Sequence, residues 1–536
     1  MKKSVKHHIS SRLSHNKIPE LQKPKDISFG HFASPVAFMI AKELKKSPNE
    51  IAAELAQTLH DPEHFDSVEA VGGFINFKLS SEFLDRFATE ALTSGVSFAK
   101  PKEIDKEKIL LEFVSANPTG PLHIGHARGA IYGDALLQIG RYLGHDITSE
   151  YYINDAGRQV YLLGVSIYLR AKEDILKESV EYPEEFYRGE YIYELAEEAV
   201  KEFGKEAFAN EEIIKTLSVW GKDKMMIEVR QNLSMVGIEF DNFVSEKEVF
   251  ANWEKAKAKL DEHYALYENE GKIWLKTTEH KDEKDRVVVR ENGEPTYLAG
   301  DITYHKDKFE RGFDRYINIW GADHHGYISR VKSAIEFLGY DSSKLEVLLS
   351  QMVALLKDGE PYKMSKRAGN FILMKDVVED IGSDALRFVF LSKKSDTHLE
   401  FDVSDLNKED STNPVFYINY AHARICSLFE KKGVGFEYAS GIKLPHLTDD
   451  EKELLFTAML LGDVLEDAFV TRDAQKVTEY LKNLANKLHR FYTENRILGS
   501  EREDVYLKIF AVVALSIRTA LKLLGITAKE KMQRGE

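Results

Sequence analysis

Two histidines three positions apart close a run of small and rigid residues, Ser115-Ala116-Asn117-Pro118-Thr119-Gly120-Pro121-Leu122-His123-Ile124-Gly125-His126. Gly120 and the two prolines fix a turn. The spacing lets His123 and His126 both project from the first turn of a helix. Gly125 between them leaves the backbone open to a flat ligand. A helix N-terminus also favours anions. Such residues suit holding a nucleotide phosphate and stabilising charge that grows on it in a transition state. A second cluster, Lys363-Met364-Ser365-Lys366-Arg367-Ala368-Gly369-Asn370, follows about 240 positions later. Three cations among small residues suit a loop that closes on a polyphosphate. Alone, the first run reads as histidines capping a surface helix and the second as a solvated basic loop. Together they read as a nucleotide site.

The elements that position these clusters alternate strand and helix. Residues 108–114 form an apolar strand ahead of the first cluster, and 124–143 form a helix with Ala127, Ile131, Leu136, Ile139 and Leu143 near one face. Later, 317–320 reads as a short strand, 326–338 as a helix and 348–356 as another strand, ending in the turn Lys357-Asp358-Gly359. This alternation predicts a parallel, doubly wound sheet. Residues 158–250 are helix-rich and acidic and read as an insertion in that sheet. Upstream, 34–59 has helical spacing, and 67–79 alternates like a strand pair turning at Gly72-Gly73. Beyond 410 the pattern is all helical. Asn413 and Pro414 form a helix start. One stripe runs Leu454, Ala458, Leu461, Leu465 and another Val477, Leu481, Leu484, Leu488, Phe491. A last helix covers 506–524, with Gly525 as its cap.

Composition narrows the class. With 536 residues, roughly three or four domains of about 150 residues are expected. The apolar run 509–517 is about half the ~20 residues of a spanning helix, so no membrane span is expected. The basic N-terminus lacks the apolar core of a signal peptide. The one cysteine, Cys426, allows neither an internal disulfide nor a multi-cysteine zinc site. These features fit a cytoplasmic setting. A net charge of −15 argues against wholesale wrapping by nucleic acid but leaves room for local basic patches. Lys2, Lys3, Lys6, Arg12, Lys17, Lys23 and Lys25 form one, either a frayed, solvated tail or a binding patch.

The two clusters resemble the HIGH and KMSK signatures of class I aminoacyl-tRNA synthetases, complete and in order. Further segments resemble the arginyl-tRNA synthetases. They are Glu112-Phe113-Val114-Ser115-Ala116-Asn117 running into the histidines, Tyr152-Ile153-Asn154-Asp155-Ala156-Gly157, Pro295-Thr296-Tyr297-Leu298-Ala299-Gly300-Asp301-Ile302 and Gly321-Ala322-Asp323-His324-His325-Gly326. Asp384-Ala385-Leu386-Arg387 matches the string that names that family's helical domain, and the run from Asn413 through Tyr417 and Tyr420 to Arg424 is also close.

The resemblance implies an α/β fold: a Rossmann-like catalytic domain over 106–408, an N-terminal α/β domain over 1–105 that contacts the tRNA elbow, and a helical anticodon-binding domain over 409–536. It implies that arginine and ATP give arginyl-adenylate and pyrophosphate, and that arginine then passes to the 3′ end of its tRNA. His123, His126, Lys363 and Lys366 would be catalytic. Gly125, Asp323, His325, Met364 and Ser365 would join His123, His126 and Lys366 in binding ATP. Glu112, Ser115, Asn117, His123, Tyr297 and Asp301 would bind arginine, with Asp301 facing the planar guanidinium fork. Phe74, Asn76, Tyr417, Tyr420, Arg424 and Met532 would contact tRNA. Mg²⁺ would arrive with ATP, without a dedicated protein metal cage, and the chain would act as a monomer. A glutamyl- or glutaminyl-type enzyme would need a basic pocket in place of Asp301. A small nucleotidyltransferase would not need the helical C-terminal region, and a non-catalytic tRNA-binding paralogue should have lost one signature.

Overall fold

Strands that are covered on both faces read as continuous apolar runs, and Ile109-Leu110-Leu111 is one, fully buried. It lies in β1 (Lys108–Glu112), the middle of a five-stranded parallel sheet. With β2 (Asp146–Ile153), β3 (Asn242–Ser245), β4 (Arg315–Gly321) and β5 (Leu345–Ser350), the order is β5-β4-β1-β2-β3. Chain order reverses between β1 and β4, and ligands of doubly wound sheets bind at the carboxyl ends of the strands flanking that reversal. The computed structural model describes residues 1–13, 20–24, 26–280, 282–362 and 371–532. Lys363, Met364, Ser365 and Lys366 lie outside the described residues.

The expected helix α1 (Ile124–Leu143) follows β1. α2 (Glu246–Phe250) follows β3, α3 (Tyr297–Glu310) precedes β4, and α4 (Ile328–Phe337) and α5 (Ser383–Leu391) lie further along the chain. Between β2 and β3, helices Arg158–Arg170, Glu190–Phe203 and Ile213–Met235 pack around Leu163, Ile167, Leu195, Phe208 and Leu217. The helical insertion is therefore shorter than the predicted 158–250. Asn242–Ser245 is an edge strand of the main sheet, too short to show alternation in sequence.

Residues 348–356 are not one strand. β5 stops at Ser350, and Val353–Lys357 belongs to a separate sheet with Glu360–Pro361 and Leu399–Asp402. At the break, the carbonyls of Gln351 and Met352 accept from the buried Arg128 guanidinium at 3.1 and 3.4 Å. The Asp384–Arg387 string also lies in this unit, on α5. Arg387 is fully buried, donates to Val236 O at 2.7 Å and pairs with Asp134 of α1.

The chain divides into two compact units, Glu103–Asn407 and the combination of Met1–Lys102 with Lys408–Glu536. In the second, strands Phe32–Ser34, Phe74–Leu79 and Phe65–Val71 form an antiparallel sheet, and the predicted hairpin turns at Gly72-Gly73. The helical text of 34–59 splits into Val36–Leu44 and Pro48–Leu59. Lys45 turns left-handed at φ 52°, and Ser47 starts a capping box with Glu50. The stripe from Leu454 to Leu465 likewise spans two helices, Asp449–Met459 and Leu461–Val470. The first part of the basic N-terminal stretch is not a frayed tail: Lys2–Arg12 is a helix that buries Val5, His8 and Ile9, while Lys17 and Lys25 lie outside the described residues. Helices α6 (Pro414–Lys432), α7 (Gln475–Glu494) and α8 (Glu503–Leu523) follow the predicted text. Lys508, buried on α8, donates to Asp85 at 2.5 Å and to Thr89 at 2.7 Å, which ties the helical segment to the N-terminal helix Ser81–Ser94. Among the described residues no helix is long and apolar enough to cross a membrane.

One glycine sets how closely α1 approaches β1. A Cβ on Gly133 would meet the buried Phe113 ring at 2.4 Å. Ala would gain about 1 kcal/mol of helix propensity, but overpacking costs about 1–3 kcal/mol. Both ring and helix are enclosed, so the clash outweighs the gain. G133A should lower the denaturant midpoint, and F113L in the same chain should recover part of the loss.

Candidate active site

The row of paired residues Asn318, Glu112, Glu150 and Asn242 crosses four strands of the sheet, level with the carboxyl end of β1. All but the edge residue Asn242 are buried. Buried carboxylates require cations or donors, and α3 supplies them. Lys308, fully buried, pairs with Glu112 and donates to Asn318 Oδ1 at 2.9 Å. Arg311 holds Glu150 through two bonds, 2.5 and 2.9 Å, and the Tyr304 hydroxyl adds a third at 2.7 Å. Burial pushes the Glu150 carboxyl up, but Arg311, Lys308 and Tyr304 outweigh it and hold it below its ordinary value. Tyr304 and Lys308 on α3 and Arg311 at its C-terminal cap lie at helical spacing, so the helix is fixed, with Tyr297 and Asp301 in its first two turns.

Past β1 the backbone is strained. Val114 and Ser115 adopt φ of 67° and 41°, unusual for any residue with a side chain and most of all for a β-branched one. The bend turns the Ser115 hydroxyl back to donate to Glu112 at 2.9 Å while accepting from Tyr152 N at 3.1 Å. Glu112 is thus 5% exposed and engaged by Lys308 and Ser115. Asn117, exposed, donates to Gln159 at 2.6 Å.

His123 and His126 cap α1 reciprocally. Gly125 N–H donates to His123 Nδ1 at 3.1 Å and His123 N–H to His126 Nδ1 at 3.4 Å. Each Nδ1 is therefore an acceptor, so each neutral ring carries its hydrogen on Nε2. The rings stack at 3.5 Å, and Phe371 stacks on His123 at 5.2 Å. Burial lowers both histidines, His126 to about 3 with a further push from His123. The pair presents neutral N–H donors at a helix N-terminus. Ile124 N donates to Ile372 O, and Met374 N to Leu122 O, both at 2.9 Å. The segment that follows the second cluster is thus pinned to the first. Asp323 and His325, after β4, are exposed.

Asp301 accepts from the Tyr327 hydroxyl at 2.7 Å, and burial raises its carboxyl to about 6. A second acid, which the sequence did not single out, is Glu246. It is buried, and burial, then Asp301, raise it to about 7. Its Oε2 has no hydrogen-bond partner among the described residues. A Cβ on Gly300 would meet Glu246 at 2.7 Å, so only glycine lets this acid lie against α3 beside Asp301. Asp155 sets its position by accepting from Ser245 Oγ at 2.9 Å and Lys247 N at 3.1 Å at the start of α2. Neither Glu246 nor Asp301 forms an ion pair among the described residues. The charges of Glu246, Asp301, Glu112 and Asp155 all reach Tyr152, whose hydroxyl burial raises above its ordinary range. The Tyr297 ring, 56% exposed, lies 3.6 Å from where a Gly157 side chain would begin. The assembly is acidic, aromatic and short of a cation.

In the other unit, Tyr420, Arg424, Lys431, Tyr492 and Met532 line a cavity of about 240 Å³. The Arg424 guanidinium lies 3.4 Å over the Tyr492 ring. Tyr417 does not line it; its ring meets His489 at 4.3 Å. Tyr492 and Lys431 come from spacings that the sequence did not flag. Phe74 packs on Phe38 at 5.2 Å, and Asn76 is buried in the middle strand.

The chain matches the families described as arginyl-tRNA synthetase N-terminal domain over 1–79, catalytic domain of class I tRNA synthetases (R) over 88–425 and DALR anticodon-binding domain over 418–532. The DALR string itself, at 384–387, thus precedes the stretch matched to the domain that bears its name. Arginine–tRNA ligases of Nitratiruptor sp. and Wolinella succinogenes are 60% and 58% identical, each covering 99% of this chain and 100% of the relative. The Thermus thermophilus arginyl-tRNA synthetase, 22% identical, shares the fold, with a TM-score of 0.77 over 99% of this chain and 100% of that one. By sequence along its whole length and by fold, the chain belongs to the arginyl-tRNA synthetases, class I enzymes that use ATP to join arginine to tRNA.

Proposed function

We propose that the paired acids Asp301 and Glu246 hold the guanidinium of arginine, with Tyr297, Tyr152 and Tyr327 shaping the pocket. The observation that carries this is two enclosed carboxyls, both raised by burial, with no ion-pair partner among the described residues. A planar fork of donors satisfies two carboxylates at once, which a lysine ammonium does not reproduce. A site built this way rejects a wrong side chain by about 10⁴–10⁵ without editing. Asn117 and Ser115 lie on the strained turn and face the amino-acid end, and Glu112 acts there through Ser115.

The neutral Nε2–H groups of His123 and His126 donate to the ATP phosphates and to the oxygens that gain charge as the arginine carboxylate attacks the α-phosphorus. Gly125 admits the nucleotide, and Asp323 and His325 lie on the β4 side of the switch point. From the sequence, Lys363 and Lys366, with Met364 and Ser365 between them, neutralise the departing pyrophosphate. Mg²⁺ enters with ATP. Tyr420, Arg424 and Met532 receive an unstacked anticodon base, since aromatic and guanidinium planes stack bases of any sequence; Tyr417 and His489 back that wall. Phe74, with Phe38, offers an aromatic face to the tRNA elbow, and Asn76 supports its strand. Both reactive clusters lie within one chain, so a monomer suffices for the reaction, in a cytoplasmic setting.

ATP–pyrophosphate exchange, run with each amino acid and with or without tRNA, tests this reading; exchange with an amino acid other than arginine would overturn the pocket assignment. D301A should raise the arginine KM about 100-fold, since hydrogen bonds to a charged group are worth about 1.5–3 kcal/mol each, and leave the ATP KM unchanged. H126A or K366A should cut exchange roughly 100- to 1,000-fold, the usual cost of one transition-state donor. The pH dependence has a definite sign. Both carboxyls bind protons more tightly than usual, and arginine needs them ionised, so arginine binding releases protons. The arginine KM should therefore fall as pH rises through about 6 to about 7 and level off above. E246Q should raise the KM and flatten this profile.

A further inference from the structure

The N-terminal helix Lys2–Arg12 ends against the turn Asp61-Pro62-Glu63-His64. The turn is rigid. Asp61 O accepts from His64 N at 2.9 Å and Phe65 N at 2.8 Å, and Asp61 Oδ1 accepts from Glu63 N at 3.1 Å. Asp61 Oδ2 is left facing two imidazoles, 3.3 Å from His64 Nδ1 and 3.9 Å from His8 Nδ1. The nearest ligand atoms of His8, Asp61 and His64 all lie within 4.8 Å of one another.

The protons do not satisfy this cluster. His8 Nε2 lies 3.4 Å from Leu59 O, which can only accept, so the hydrogen is on Nε2, and Nδ1 is an acceptor that Arg12 meets at 2.6 Å. His64 Nδ1 is buried and makes no hydrogen bond among the described residues. Acceptors that face one another need a cation between them. Arg12 fills that need only in part: it donates to Asp61 Oδ2 at 3.0 Å and to His8 Nδ1 at 2.6 Å, and leaves His64 Nδ1 without a donor among the described residues. Its side chain is 37% exposed and on the last helical turn, so it can swing out. A backbone carbonyl behind one imidazole is the usual outer support of a metal-bound histidine. Apolar rings supply the dry surround: Phe65 meets His8 at 5.3 Å, and Phe83 meets His64 at 5.2 Å.

We propose that His8, Asp61 and His64 form a three-ligand site for a divalent transition-metal ion that fastens the N-terminal helix to the adjoining α/β segment, with Arg12 as the competing cation when no metal is bound. Two neutral imidazoles and one carboxylate suit Zn²⁺, with water in the fourth position. Tetrahedral bonds of about 2.0–2.2 Å would draw the ligand atoms slightly closer than they now are.

The test is titration of the chelator-stripped, full-length chain with Zn²⁺ against a chromophoric chelator, and with Co²⁺ read by its visible absorption. One equivalent of Zn²⁺ and a four-coordinate Co²⁺ spectrum are expected. H64A and D61N should each weaken Zn²⁺ by more than the roughly 10-fold that loss of an outer partner costs; D61N retains the oxygen that accepts from Glu63. H60A, an exposed neighbour, should titrate as the parent does. R12A should bind more tightly, a gain that misfolding cannot produce. Failure of both the parent chain and R12A to take up one equivalent would overturn the proposal, as would H64A and D61N binding like the parent. The site would then be an Arg12–Asp61 ion pair with two bystander histidines.

Discussion

The position of α3 depends on two carboxylates buried side by side in the sheet. Glu112 and Glu150 are paired across β1 and β2, and neither can stay ionised there without partners. Lys308 and Arg311 meet them from one face of α3. A buried ion pair adds little net stability over a well-packed apolar pair, but removing one partner costs about 3–5 kcal/mol. Its value here is registry. If α3 slid by one turn, both acids would lose their cations together. Asp301 sits one and two turns upstream of Tyr304 and Lys308, so the same lock fixes where that buried acid stands.

The contrast between paired and unpaired acids separates scaffold from pocket. Glu150 is held below its ordinary range by a guanidinium, a lysine and a phenol, whereas Glu246 and Asp301 are raised. Burial raises all three; the guanidinium and lysine beside Glu150 make the difference. In the proposed pocket, an entering guanidinium would offset this cost. A comparable logic governs the anion side. His123 and His126 are lowered by burial, so the charge offered to phosphate is not a full imidazolium. It is a pair of fixed N–H dipoles at a helix N-terminus, donors that need no reorganisation as negative charge grows.

Much of this was legible in the sequence. The histidine turn, the α1 boundaries and the Asn413-Pro414 start depend on local chemistry, and local chemistry can be read along the chain. Glu246 could not be read. It follows a four-residue edge strand and reaches Asp301 only because Gly300 leaves room across a packing contact. Lys308 and Arg311 were readable in principle, as cations at i+7 and i+10 from Asp301 on a helix whose other faces are core. The single strand expected over 348–356 failed for a non-local reason, since Arg128 draws in the carbonyls at the break from more than 200 positions away. The role of the string at 384–387 was equally out of reach: its arginine is buried and pairs with Asp134 of α1, more than 200 positions away.

The terminal unit shows why sequence distance is a poor guide to folding partners. Lys508 is fully buried on a helix that otherwise reads as pure core, and an uncompensated ammonium there would be prohibitive. Its compensation comes from Asp85, Thr89 and the carbonyl of Ile442. Two of these three partners lie in the N-terminal segment. Neither the helices after Lys408 nor the α/β residues before Lys102 can complete that hydrogen-bond set alone. The unit must therefore close after the last helix has been made, with Glu103–Asn407 inserted between its halves. An insertion is tolerated where entry and exit are held together, and a buried lysine shared by the two halves holds them.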